Sequence, residues 1–247
     1  MYSKYEKPII KASIFYYDIE YSRDTAIKVL QILEKYNMYP PEKICADLLT
    51  NNKFICASEQ TKDLFVQAYS EKGVLGVDMA SGNSRKVADY WRVNWGFTFY
   101  KEKKLAVKNP KFMPWNVLSI HSTHGRLNDN DIYLDYLNCV KELIVILNPF
   151  YASIDDIDNK VKLLNQTREP HFVPNSIQQI YWGNYFGEQQ CLQYGLDKIG
   201  NNEMGIVEKI GKGILILLTD HVLEYDSKEC KQNRNKIKSY LKLNNCP

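Results

Sequence analysis

The chain has 247 residues, of which 45% are hydrophobic and 25% charged, the usual balance of a globular protein with a large core. Its formal net charge of +3, with acids and bases intermixed, argues against a nucleic-acid partner. The six cysteines show no CxxC pair or zinc spacing, and no signal peptide or run of ~20 apolar residues is present. We therefore expect a cytoplasmic protein without cofactor or metal, forming one domain over residues 1–247.

Hydrophobic periodicity predicts the elements in the first half of the chain. Ser22 is placed to cap a helix, which the Pro40–Pro41 pair would end. Residues 87–100 alternate apolar and polar side chains, which indicates a strand with one wet face. The predicted elements are a strand over 9–17, a helix over 22–36, helical structure over 43–72, a loop over 73–84, and strands over 87–100 and 115–121.

The second half continues the alternation of strands and helices. Gly211 and Gly213 divide one β-rich run into two strands. The predicted elements are a helix over 129–147, a strand over 151–154, a helix over 157–164, a strand over 178–186, a short helix over 188–194, two strands within 206–219 and a helix over 227–243. This order predicts an α/β (α+β) fold with a mixed, largely antiparallel sheet. Helices should pack mainly on one face, and ferredoxin-like halves are compatible with the pattern.

One histidine motif favours an enzyme. His121 and Thr123, at the end of a predicted strand, resemble half of a two-histidine phosphoesterase site, where imidazoles act as general acid and base. That chemistry needs a second such motif, but neither His171 nor His221 is followed by the required hydroxyl. A metal site at His121 and His124 would need a further ligand. A phosphodiesterase-like hydrolase is therefore the alternative, and a non-catalytic role is favoured.

A group of acids follows the predicted strand over 151–154. Asp155, Asp156 and Asp158 could hold magnesium or serve hydrolysis. They also immediately precede a predicted helix, whose free N–H groups favour acids. The capping interpretation is the stronger one. The chain also lacks a P-loop, a dinucleotide fingerprint and a nucleophile elbow.

Residues 180–187 read Ile-Tyr-Trp-Gly-Asn-Tyr-Phe-Gly and lead through a short predicted helix to Gly195. This segment resembles the signature of the immunity protein 52 family, which reads aromatic-Trp-x-Asn-Tyr-Phe/Trp-Gly. Residues 149–152 and the closing strand and charged helix are similar to the same family. The resemblance covers about residues 90–247 and extends to related immunity proteins of type VI secretion loci.

The resemblance implies a cytoplasmic antitoxin. Such proteins bind and neutralise a cognate bacterial polymorphic toxin, often a nuclease, without catalysis. The family positions here are Trp182, Asn184, Tyr185 and Gly187. We interpret them as structural: the indole packs, the amide bonds nearby backbone, and the glycine ends the strand.

A nuclease-blocking surface would combine acids that mimic phosphates with aromatic side chains that bury area. The sequence offers one set of candidates for binding the toxin: Asp129, Asp131, Tyr133, Asp135, Tyr136, Asp155, Asp156 and Asp158. A solvated helix face carrying acids would look the same. A non-catalytic α/β binding protein with another partner is the remaining alternative.

Overall fold

A computed structural model of the chain describes residues 9–16, 22–45, 55–56, 61–70, 76–81, 91–96, 116–164, 177, 179–196 and 204–243. The strands in these ranges are β1 (Ile9–Tyr16), β2 (Lys43–Cys45), β3 (Ile55–Cys56), β4 (Gly76–Ser81), β5 (Trp91–Gly96), β6 (Asn116–Thr123), β7 (Tyr151–Asp156), β8 (Gly183–Phe186), β9 (Ile206–Ile210) and β10 (Gly213–Leu217). The helices are α1 (Arg23–Lys35), α2 (Thr61–Ser70), α3 (His124–Leu127), α4 (Asn130–Leu147), α5 (Ile157–Leu164), α6 (Glu188–Tyr194) and α7 (Lys228–Tyr240), with a 3₁₀ turn at Val222–Glu224.

The strands form one ten-stranded sheet in the order β3-β2-β4-β5-β6-β1-β7-β8-β10-β9. Every pair is antiparallel. This confirms the predicted α+β fold and its largely antiparallel sheet. Within it, β1, α1, β5, β6, α4 and β7 form a βαββαβ unit with strand order β5-β6-β1-β7, the ferredoxin-like arrangement. The order β7-β8-β10-β9 differs, so the described sheet contains one such unit and not two.

The two faces of the sheet differ in chemistry because successive side chains of a strand point to opposite sides. On one face, Tyr16 accepts a hydrogen bond from the Trp95 indole at 2.6 Å, and the Tyr69 ring of α2 stacks on Trp95. Tyr136 of α4 donates to the Ile120 carbonyl of β6 at 3.2 Å. The helices α1, α2 and α4 cover this apolar face. Helix α5 covers part of the opposite face, where its Lys160 lies 2.9 Å from the Ser153 hydroxyl.

Helix α4 begins and ends where its sequence requires. The Asp129 carboxylate accepts hydrogen bonds from the backbone N–H groups of Asp131 and Ile132, and so satisfies donors that a helix start leaves free. Asn148 adopts a left-handed conformation with φ of 42°, after which Pro149 cannot continue the helix. Its buried stripe includes Leu137, Val140, Leu143, Ile144 and Leu147. Burial of each such leucine or isoleucine contributes about 1.5–3 kcal/mol.

Two predictions in the first half were wrong. The segment 43–72 begins with β2 and β3, and within it the structure describes a helix at α2. The predicted loop over 73–84 contains β4. Turn-favouring residues form a strand there because β4 pairs with β5, which places Val77 and Met79 beside Trp95 and Val93 in the core. None of the helices that the structure describes is long and apolar enough to cross a membrane.

Candidate protein-binding site

Two positions of the predicted signature, Trp182 and Asn184, are fully buried at the start of β8. The Trp182 indole donates to the Thr219 hydroxyl at 2.8 Å, and its backbone N–H donates to Asp155 at 3.0 Å. The Asn184 amide accepts from the Tyr181 N–H and donates to the Tyr181 carbonyl, both at 2.9 Å. These contacts fold the segment before β8 onto β7 and β10.

Tyr185 and Gly187 complete the signature. The Tyr185 ring is buried, and a Cβ added to Gly213 would lie 2.5 Å from its hydroxyl. Gly187 donates its N–H to the Phe150 carbonyl at 3.0 Å. A Cβ on Gly187 would lie 2.7 Å from the Pro149 carbonyl oxygen, so only glycine allows this approach. Trp182, Asn184 and Tyr185 thus make contacts inside the fold through their side chains, and Gly187 does so through its backbone.

Asp155 and Asp156 are buried and do not reach the surface as an interface would require. Asp155 accepts from the Asn159 amide at 2.9 Å and from Trp182, and lies 3.8 Å from the Arg234 guanidinium. Burial raises the pKa of Asp155. Asp156 caps α5 by accepting from the Asn159 N–H at 3.0 Å and lies 3.1 Å from His124 Nε2. The capping interpretation is correct for Asp156, whereas Asp155 is bound by Trp182 and by the Asn159 side chain. Both carboxylates are buried, so the prediction that they contact a toxin is wrong.

Tyr133 and Tyr136 are also buried and are unavailable as interface aromatics. Both lie on the stripe of α4 that faces the protein interior. Tyr133 stacks on His221 with ring centroids 3.9 Å apart and donates to the Asp220 carbonyl at 2.9 Å. The sequence pattern placed these tyrosines beside acids without distinguishing which side of the helix each residue occupies.

The other four acids of the predicted toxin-binding set are exposed to solvent. Asp129, Asp131 and Asp135 are exposed at the start of α4, and Asp158 is exposed in the first turn of α5. The loop after β10 adds Asp220 and Glu224, both exposed, which the sequence reasoning missed. We call the set Asp129, Asp131, Asp158, Asp220 and Glu224 the acidic rim.

Specific contacts bring these separate segments together. The Tyr133–His221 stack and the Tyr133–Asp220 hydrogen bond join the start of α4 to the loop after β10. The same loop meets the β6–α3 junction where Tyr225 packs edge-on against His124, with centroids 5.8 Å apart. His124 in turn pairs with Asp156 just before α5. The sequence signal that could have found Asp220 and Glu224 is their high acid density after a buried strand.

The acids of the rim help to raise the pKa values of two neighbouring tyrosines, Tyr133 and Tyr225. Burial, together with nearby acids that include Asp156 and Asp158, raises the pKa of Tyr225 to about 12. Burial also raises the pKa of Tyr133, with Asp220 and Glu224 adding to it. Asp226 is a partly neutralised neighbour, because its carboxylate lies 2.9 Å from Lys231 Nζ.

The outward face of α4 adds exposed apolar side chains at two places, one near the rim and one about three turns further along the helix. Leu134, Val145 and Ile146 are 44%, 54% and 38% exposed, and Asp135 lies next to Leu134. Exposed apolar side chains beside acids are typical of a protein-binding surface. The arrangement could bind a cationic protein patch through charge at the rim and through apolar contact at the neighbouring Leu134.

His121 and Thr123, the residues of the enzyme alternative, lie on the sheet face opposite the one that α4 covers. His121 is paired across β6 with Lys11 of β1 and Arg92 of β5. Thr123 is buried and accepts from the Arg126 N–H at 3.4 Å as the cap of α3. His124 and His221 are engaged by Asp156 and Tyr133, and His171 lies outside the described residues. Among the described residues, no second histidine faces His121 as a paired acid–base site would need.

Comparison with known proteins gives a fold likeness. The chain is similar to a solved structure of the T6SS protein PA0821 of Pseudomonas aeruginosa, with a TM-score of 0.70 at 12% identity. The match covers 95% of this chain and 72% of that one. At this identity the likeness concerns the fold alone. No family model and no curated protein matches the chain, so its predicted membership of the immunity protein 52 family stays a prediction.

Proposed function

We propose that this chain is an immunity protein associated with type VI secretion, which binds and neutralises a cognate polymorphic toxin without catalysis. The observation that carries the proposal is the fold likeness, over nearly the whole chain, to a T6SS protein of Pseudomonas aeruginosa. The segment 180–187 resembles, in its sequence alone, the signature of immunity proteins of type VI secretion loci, which agrees with a role in that system.

The acidic rim supports a particular kind of partner. Its five carboxylates come from three separate segments, which the contacts of Tyr133 with His221 and of His124 with Tyr225 and Asp156 bring together. Surface charges of one sign steer a partner of the opposite sign and suppress wrong partners. A toxin with a cationic active-site face, such as a nuclease, fits that charge. The exposed Leu134, in the second turn of α4, would supply buried apolar area beside it.

A growth-rescue assay tests the proposal. The toxin encoded by the neighbouring gene is expressed in a bacterial host alone, with this chain, and with a rim variant carrying Asp131→Lys, Asp220→Lys and Glu224→Lys. We expect the wild-type chain to rescue growth and the rim variant to fail. A matched control carries Asp24→Lys, Glu42→Lys and Asp63→Lys, three exposed acids outside the rim with the same total charge change, and should rescue fully.

One further variant, with two substitutions, separates the enzyme alternative in the same assay. His121→Ala with Thr123→Ser leaves the α3 cap in place and removes the imidazole that would act as acid or base. Immunity by binding predicts full rescue by this variant. Loss of rescue, with the toxin complex still forming, would contradict a non-catalytic role.

A further inference from the structure

The sheet face opposite α4 carries an unusual polar row. Asn94, Ser119, Ser13, Ser153 and Asn184 are directly paired neighbours across five adjacent strands, β5, β6, β1, β7 and β8. Ser13, Ser119, Ser153 and Asn184 are all buried. Small hydroxyl and amide groups therefore occupy the middle of this face, where a packed sheet normally places bulky apolar side chains. We call the face that carries this row the polar sheet face.

A second row, of ionisable side chains, lies beside the first. Arg92, His121, Lys11 and Asp155 are paired in register across β5, β6, β1 and β7. The two acids of the region are already engaged. Asp78 holds the Arg92 guanidinium through both of its oxygens, one of them 2.7 Å from Nε, and Asp155 accepts from Trp182 and Asn159.

The Lys11 ammonium is left without such a partner. No hydrogen bond or carboxylate contact involves it within the described part of the chain. Lys160 enters the same face from α5, with its ammonium 2.9 Å from the Ser153 hydroxyl and 3.1 Å from the Ser153 carbonyl. Ser153 pairs with Ser13, two residues from Lys11 on the same side of β1. Side chains so related lie within roughly 5–8 Å of one another.

His121 provides a second group without a hydrogen-bond partner in the described part of the chain. Its Nε2 atom is buried and has no hydrogen-bond partner among the residues that the structure describes. Buried polar atoms are nearly always bonded, so an unbonded one marks a place where a ligand or water belongs. Burial, followed by the charges of Lys11, Arg92 and Lys160, lowers the pKa of His121 to about 3. Burial and the neighbouring Lys11 charge likewise lower the pKa of Lys160 to about 7.

We propose that the polar sheet face is a binding site for a phosphate group held between Lys11, Lys160 and His121. Two ammonium groups and an imidazole N–H are single-point donors that approach from two strands and a helix. They suit the several oxygens of a phosphate. The planar fork that suits a carboxylate belongs to Arg92, which Asp78 already occupies. The site is distinct from the acidic rim, and its ligand is an inorganic phosphate or the phosphate of a small ester.

Calorimetric titration of the full chain with inorganic phosphate, in chloride buffer at pH 7, tests the site. We expect saturable binding at one site, weakened on the order of tenfold by Lys11→Met and by Lys160→Met. Lys162→Met is the matched control, because Lys162 lies exposed on the same helix and carries the same charge. It should bind phosphate as the wild type does. Lys11→Met removes a cation that makes no hydrogen bond to the described residues and should leave the fold intact. Lys160→Met also removes the donor to the Ser153 carbonyl and hydroxyl, so thermal melting checks that each variant is folded.

A second readout is independent of affinity. The ring resonances of His121 should shift as phosphate is added, and its pKa should rise because a bound anion favours the imidazolium. Absence of saturable phosphate binding by the wild type would overturn the proposal. Equal binding by Lys11→Met and Lys160→Met would do the same. Acetate that binds as tightly as phosphate would overturn the assignment of the ligand class.

Discussion

At the scale of single residues, the buried polar groups around β8 have nearly complete sets of hydrogen bonds. Asn184 uses both atoms of its amide on the backbone of Tyr181, and its oxygen also accepts from the Tyr151 hydroxyl at 3.3 Å. Asp155 holds the Trp182 N–H and the Asn159 amide. Such groups contribute little net stability while bonded, but the loss of one partner leaves another buried and unsatisfied.

Replacement of Asn184 by alanine should therefore destabilise the protein by about 2–4 kcal/mol, because the Tyr181 N–H and carbonyl lose their partner. Urea denaturation followed by circular dichroism measures the change. Asn138→Ala, at an exposed position of α4, is the control and should alter stability by no more than about 0.5 kcal/mol. Equal effects of the two substitutions would show that Asn184 is not a structural residue.

His121 should make the folding stability depend on pH. Its pKa is about 3 in the folded chain and near its ordinary value of about 6.5 when unfolded. Between these values the unfolded chain binds more protons, so stability falls as the pH drops from about 6.5 towards 3. Between pH 6.5 and 4 the wild type should lose on the order of 2 kcal/mol more than His121→Gln, after allowance for partial exposure of the ring. Parallel urea titrations across this range would measure it, and identical pH profiles would contradict the assignment.

At the scale of elements, the junction between β8 and α6 is set by one close backbone approach. Gly187 lies against Pro149 and Phe150, the residues that lead from α4 into β7. Two elements distant in sequence are thus fixed together at a point where there is no space for a side chain. This explains why the glycine of the signature follows the aromatic strand at that position.

Gly187→Ala should cost about 1–3 kcal/mol, because the added methyl group would force the backbone of residues 149–150 away from β8. Gly211→Asn provides the comparison. Gly211 has φ of 55° in the β9–β10 turn and open space around it, and asparagine tolerates that conformation. Thermal unfolding should show a lowered midpoint temperature for Gly187→Ala and an unchanged one for Gly211→Asn. A wild-type midpoint for Gly187→Ala would refute the packing argument.

At the scale of the whole molecule, local patterns in the sequence were sufficient for the elements with strong periodicity. The helix over 129–147, the helix over 157–164 and the pair of strands around Gly211 follow directly from apolar spacing and turn residues. The elements within residues 43–84 could not be predicted in this way. There, β2, β3 and β4 are short strands stabilised by pairing with β5 and with each other. Long-range pairing of this kind leaves little trace in local composition.

The candidate site could be predicted only in part, because the sequence shows local patterns but not which residues the tertiary fold buries. The sequence identified exposed acids at Asp129, Asp131, Asp135 and Asp158, and the structure places them at the surface. It also grouped with them Tyr133, Tyr136, Asp155 and Asp156, which the tertiary fold buries. Asp220 and Glu224 join the rim only through contacts between the loop after β10 and α4, which no local pattern reveals.

We propose that the acidic rim binds the cognate toxin as a stoichiometric inhibitor. Titration of the purified toxin into this chain by calorimetry, at low and high salt, tests this with the rim variant and its matched control. We expect a one-to-one complex whose formation is weakened by salt, abolished by the rim variant and unchanged in the control. Equal affinity of the rim variant and the wild type, or the absence of any complex, would contradict it.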